Sequence, residues 1–353
     1  MKNTDQEHNS PRSLYDPQDS PEEDLWFLPG PDAETIEEPL LWQFTDRQTL
    51  DAAIWRDAEC ANAVPLARAA QAYGALHDRL RQSPNALNRI ALMQVADLSW
   101  HLGDRLTEDR IALYLAARIS HARDQMPAFE RASWAYRRLT DRQEARPGQL
   151  ADFLGRTPVK APAADPLPVD RPQGTEFAAL EAEFWDGLSD MSDSHPITRA
   201  GFAWQLWSRL DLSGETNRIE GAVVAARIGS GNPATGLRFL PLSPVQRGNT
   251  PTDRLAAFYA GTETICLRAL MQLDRIASWR DKANTATGHL SGRTPARLIG
   301  ALTDWPILSA EALETLTRVS RAAVQRNIDK LEKLGLIREV TGQGRFRMWR
   351  ALT

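Results

Sequence analysis

Arg321, Gln325 and Arg326 stand close together near the C-terminal end of a 353-residue chain, and all three are residue types that read DNA bases. Arginine can donate two parallel hydrogen bonds to guanine, and glutamine pairs in a similar two-point way with adenine. Around them lie Arg318, Lys330, Arg345 and Arg347. These suit phosphate contacts, which fix a protein on the duplex without reading its sequence. Ser320 precedes the group and is a residue type that opens helices. Val324, Ile328, Leu331 and Leu334 recur at spacings of four, three and three. A helix with that pattern turns the apolar stripe inward and leaves Arg326 and Ala322 outward, flanked by Arg321 and Gln325.

The neighbouring residues supply the elements that such a helix needs. Thr294-Pro295 is expected to cap a helix that runs through Leu298, Ile299 and Leu302 to Trp305, where Pro306 stops it. Ser309 caps a second helix with Leu313 and Leu316 inward, and Thr317-Arg318-Val319 is a short turn into Ser320. Gly335 offers a left-handed stop to the third helix. A hairpin follows, from Leu336 to Val340, through Thr341-Gly342-Gln343-Gly344, to Phe346–Trp349. The order predicts a winged helix-turn-helix over residues 291–353, whose third helix enters a major groove by its N-terminal half.

Charge is distributed in keeping with this. Residues 291–353 carry eleven basic and six acidic side chains, a net of +5, although the whole chain has a net charge of −4. Residues 1–50 carry three basic and twelve acidic ones, a net of −9. Double-stranded DNA is therefore the expected partner of the C-terminal module. The acidic arm of residues 1–45 is expected to be extended, with Trp26, Phe27, Leu40, Leu41 and Trp42 as anchors.

Other chemistry finds weaker support. Gly231 and Gly236 have the spacing of a phosphate-binding loop, but Leu237-Arg238 replaces the lysine and hydroxyl residue that would grip a nucleotide and its magnesium. The histidines at 8, 77, 101, 121, 195 and 289 show no metal spacing, and His101 with Asp104 is an ordinary helix-surface pair. No nucleophile-elbow glycine pattern is present. No catalytic residue, metal or cofactor is assigned, and an enzyme is not expected. Cys60 and Cys266 lack metal-site spacing, no apolar run spans a membrane, and the first residues lack a signal peptide's apolar stretch. A cytoplasmic setting without membrane association is expected.

The fold class follows as mainly α: a helical N-terminal bundle (46–143), a proline-rich linker (144–175), a helical middle domain (176–290) and the winged helix-turn-helix with its small β-hairpin wing. In the first, Leu66, Ala69, Ala70, Tyr73, Leu76 and Leu80 share one helix face. In the linker, prolines at 147, 158, 162, 166, 168 and 172 argue against regular packing. In the middle domain, Phe184, Trp185, Phe202, Trp204 and Trp207 fall at helical spacing. They read as core, with a pocket for a small-molecule effector as the alternative.

The run SGRTPARLIGAL…SAEALETLTRVSRAAVQRNIDKLEKLGLIREVTGQGRFRMWRAL resembles the C-terminal winged helix of many Fic-family proteins, over about a fifth of the chain. Most of the chain resembles a bacterial family, often plasmid-borne in rhizobia and their relatives, in which a helical region of unassigned role precedes this helix-turn-helix. Fic enzymes transfer AMP through a His-Pro-Phe motif followed by an Asp-Gly-Asn-Gly-Arg loop. Here the only His-Pro, His195-Pro196, leads into ITRAGFAWQLW, without the acid or the glycines. Thr216-Asn217-Arg218-Ile219-Glu220-Gly221 is similar to the inhibitory-helix motif of that family. The resemblance implies a DNA-binding module and no AMP transfer.

The expected function is sequence-specific DNA binding by a transcriptional or plasmid-associated regulator, with pairing of two copies to lengthen the site. The alternatives are a winged helix used for protein contact and a degenerate Fic-like protein without AMP transfer.

Overall fold

The computed structural model describes residues 50–117, 125–156, 171–214, 217–231, 236–243, 247–342 and 347–353. The acidic arm, Arg345, residues 157–170 of the proline-rich stretch and part of the Gly231–Gly236 loop lie outside them. Among the described residues the chain is mainly α, with one small antiparallel sheet near the C-terminus. None of the described helices is long and apolar enough to cross a membrane.

Helices α1 (Ala52–Ala61) and α2 (Ala63–Gln82) open the body. The Asp51 carboxylate caps α1 by accepting from the Ala53 N–H at 2.8 Å. A 3-10 turn at Pro84–Ala86 breaks the chain, and α3 (Leu87–His101) follows. Next come α4 (Glu108–Ala117), α5 (Met126–Thr140) and the short α6 (Leu150–Leu154). After them lie α7 (Gly174–Ser189), α8 (Pro196–Arg209) and α9 (Ile219–Gly229). Helix α8 starts with an imidazole as its cap: His195 Nδ1 accepts from the Ile197 N–H at 3.2 Å, with Pro196 in the first turn. Helix α9 packs closely on α8 because Gly221 lies against Trp207; a Cβ there would sit 2.4 Å from the indole ring.

Where the sequence predicts a bundle and a middle domain with a linker between, the structure has one shared core. A single buried cluster draws on both regions from Trp55 to Leu273 and also takes in Ile307 and Met348 of the C-terminal module. Buried Gln94 illustrates the union: its amide donates to the Leu242 carbonyl and accepts from the Leu242 N–H, each at 3.0 Å. The proline-rich stretch is packed at its N-terminal end. Leu150, Phe153 and Leu154 are buried, the Leu150 N–H donates to Glu181 at 3.0 Å, and Arg156 pairs with Glu220. Prolines exclude a long helix there but leave room for a single turn whose polar groups find side-chain partners.

The 37-residue α10 (Pro251–Thr287) joins the two ends of the fold. Thr250 caps it, the Asp253 N–H donating to Thr250 Oγ1 at 3.1 Å and the hydroxyl donating to the Asp253 carboxylate at 2.8 Å. At the usual rise it is about 55 Å long. Its residues up to Leu273 belong to the main core, whereas Ile276, Trp279 and Ala283 belong to a second cluster with Leu298, Ile299 and Leu302. The predicted boundary at 290 therefore falls inside a packed unit, because the last turns of α10 supply apolar side chains to the C-terminal module.

That module contains α11 (Thr294–Asp304), β1 (Leu308–Ser309), α12 (Ala310–Thr317), α13 (Arg321–Lys333), β2 (Ile337–Glu339) and β3 (Met348–Ala351). The sheet order is β1-β3-β2, all antiparallel, with Leu308 opposite Trp349 and Ile337 opposite Ala351. The predicted strand start at Phe346 lies outside the described residues, and within β3 Met348, Trp349 and Ala351 are buried.

Candidate nucleic-acid interface

The local geometry of α12 and α13 follows from a few residues. Ser309 Oγ accepts from the Ala312 N–H at 3.0 Å and starts α12. Arg318 ends it in the left-handed region, with φ 54° and ψ 43°. That conformation costs a non-glycine residue about 1–2 kcal/mol, and the turn is supported by Arg297, whose Nη1 donates to the Thr317 carbonyl at 3.3 Å. Helix α13 ends at Gly335, φ 63°, where the Leu336 N–H reaches the Leu331 carbonyl at 3.0 Å and the Gly335 N–H reaches Glu332 at 2.9 Å. This is a Schellman closure, with apolar Leu331 and Leu336 both buried beside it.

Two predicted starts differ in detail. Thr294 is the first residue of α11 rather than its cap, and Arg293 holds the cap position without a side-chain bond. Ser320 does occupy the cap position of α13, but its hydroxyl makes no cap bond. Leading amides of α13 are thus left unanswered by a side-chain cap, and its first turn holds no acid. An N-terminus of this kind favours an incoming anion.

Burial of Val324, Ile328 and Leu331 sets the orientation of α13. The opposite face displays Ala322, Arg326, Asp329, Lys330 and Lys333, all exposed, with exposed Arg321 at the start. Arg318, Arg321, Arg326, Lys330 and Lys333 form no ion pair among the described residues. Leu334, expected inward, is 43% exposed, since it follows the last turn at the helix C-cap.

Gln325 is half-buried, and its Nε2 donates to Asp329 Oδ1 at 2.9 Å. The bond fixes the amide and leaves Oε1 as its acceptor. It also puts a carboxylate on the outer face. Asp329, Lys333 and the exposed Arg338 of β2 are absent from the sequence-derived set. The signal for Lys333 was present: it lies seven residues after Arg326 and therefore on the same face. Arg347 is turned back over the Trp349 ring, 5.2 Å from its centroid, and lies 4.0 Å from Glu332. Arg345 lies outside the described residues.

Elsewhere the sequence candidates serve the fold. Phe184 makes edge contacts with Trp185 at 5.1 Å and Trp207 at 5.4 Å, and Phe202, Trp204 and Trp207 are buried. His101 Nδ1 lies 2.9 Å from the Asp97 carbonyl, and Asp104 pairs with Arg131. Glu220 is buried and bound by Arg156, Arg171 and Ser213, while Trp207 Nε1 donates to the Ser213 hydroxyl at 2.8 Å. Burial pushes the Glu220 carboxyl up, against the pull of the two arginines. No protein-family model matches the chain, and comparison with curated proteins returns no match.

Proposed function

We propose that residues 291–353 form a winged helix-turn-helix that binds double-stranded DNA, with α13 in the major groove. The observation that carries the reading is the outer face of α13, where Arg321, Arg326, Lys330 and Lys333 are exposed and form no ion pair among the described residues. Arg326 and Gln325 are the base-reading candidates, and Asp329 suits the amino group of cytosine. Ser320, Arg321 and the free amides at the helix start suit a phosphate, with Arg318, Lys330, Lys333 and Arg338 around them. Ala322 allows the helix to approach closely.

In this reading the protein is a cytoplasmic, sequence-specific regulator of transcription or of a plasmid, in keeping with the bacterial family it resembles. Two copies pair on DNA, because one module reads a short site. Fluorescence anisotropy on a random-sequence duplex across a salt series tests the phosphate contacts. Full-length protein is expected to bind more weakly as salt rises. Lys330→Ala is expected to lower the slope of log K against log salt by about 0.9. Binding that ignores salt contradicts the proposal.

A further inference from the structure

Asp329 stands on the outer face of α13 amid Arg326, Lys330 and Lys333, and is exposed like them. Arg326 lies three residues before it and Lys333 four after, spacings at which opposite charges meet on a helix. Yet the carboxylate forms no ion pair among the described residues. It is taken instead by Gln325, one turn earlier, whose Nε2 donates to Oδ1 at 2.9 Å. Asp329 Oδ2 and Gln325 Oε1 accept no hydrogen bond among the described residues. The bond therefore keeps two acceptor oxygens close together on an otherwise basic face.

A carboxylate facing a polyanion weakens binding unless the duplex supplies a donor to it. The major groove offers two such donors, the amino groups of cytosine and adenine. Adenine carries the N7 acceptor beside its amino group, and guanine and thymine present acceptors to the groove. Cytosine presents the donor beside a C–H, so its edge is the one that suits a carboxylate. Arg326 suits guanine, which presents two acceptors. Three residues of helix rise about 4.5 Å, close to the step of about 3.4 Å between base pairs. The two side chains therefore address neighbouring base pairs.

We propose that Asp329, held by Gln325, sets the sequence preference of this face. It selects a cytosine in the base pair next to the guanine bound by Arg326, and it rejects thymine and guanine at that position. The inference rests on the DNA-binding reading and names the class of site that the reading implies.

Selection from a pool of randomised duplexes by the full-length protein, beside Asp329→Ala and Asp329→Asn, tests it. The unaltered protein is expected to enrich duplexes with the cytosine next to a guanine. Asp329→Ala is expected to flatten the preference at the cytosine position about fivefold or more, and to leave the guanine. Asp329→Asn keeps the shape but adds a donor, so the preference is expected to move from cytosine to adenine, whose N7 and amino group suit an amide. A cytosine preference unchanged in both variants, or a loss spread evenly over all positions, overturns the proposal. Fluorescence anisotropy on a random-sequence duplex separates this inference from the reading beneath it. Binding by the unaltered protein without a cytosine preference overturns the inference alone, and no binding overturns both. Asp329 is exposed and its bond to Gln325 lies on the surface, so both variants are expected to melt as the unaltered protein does.

Discussion

Trp279 Nε1 donates a 2.8 Å hydrogen bond to the carbonyl oxygen of Leu336, and both residues are buried. Trp279 belongs to the long α10 and Leu336 follows directly on the closure of α13, so this bond ties the strut of the fold to the end of the helix proposed to bind DNA. The same carbonyl also accepts from the Leu352 N–H at 3.0 Å.

Trp279→Phe keeps a ring in place but removes the donor. The carbonyl keeps its bond from Leu352, so the variant loses one of two hydrogen bonds, about 0.5–1.5 kcal/mol. A lower urea midpoint with an unchanged slope is expected; an unchanged midpoint would mean that the bond contributes nothing.

Arg89 closes the other end of the module. It donates to the carbonyls of Leu302, Thr303 and Trp305 at 2.5, 2.6 and 2.7 Å, capping the C-terminal end of α11 from a helix of the body. Burial lowers its pKa to about 10, so it stays charged at neutral pH. Arg89→Met should cost at least one charge-assisted bond, about 1.5–3 kcal/mol. Hydrogen exchange should speed up at the amides of α11 more than at those of α2. Equal protection in the variant would contradict the anchoring role.

The cap of α8 makes stability depend on pH. His195 Nδ1 can accept from Ile197 only while the ring is neutral, and burial lowers its pKa below the ordinary 6.5, with Glu59 pulling the other way. The unfolded chain takes up the proton first on acidification. The cap's contribution is therefore fully present above about pH 6.5 and declines as pH falls below it. His195→Asn keeps a capping oxygen and should flatten the melting temperature between about pH 7 and 5 relative to the unaltered protein. Parallel pH profiles for the two proteins would rule out this role.

Much of the C-terminal module was legible because its signals are local. Ser309, Gly335 and the 324-328-331 stripe each act within a few residues, and each predicts its element. The union of residues 46–143 with 176–273 was not legible, since it depends on long-range bonds such as Gln94 to Leu242. Proline density at 147–172 suggested a linker and hid the packed turn at 150–154, which is held by Glu181 and Glu220 from distant helices. At the interface, Arg326 was read from its face, whereas the Gln325–Asp329 bond depends on side-chain orientation that spacing alone leaves open.

Selection of sheared genomic DNA by the full-length protein, beside an Arg321→Ala/Arg326→Ala variant at moderate salt, tests the central claim most directly. Neither arginine forms an ion pair among the described residues and both are exposed, so the variant should fold as the unaltered protein does. Enrichment of a few loci that is lost in the variant is the expected result. Enrichment that survives in the variant, or none with either protein, would contradict sequence reading by α13.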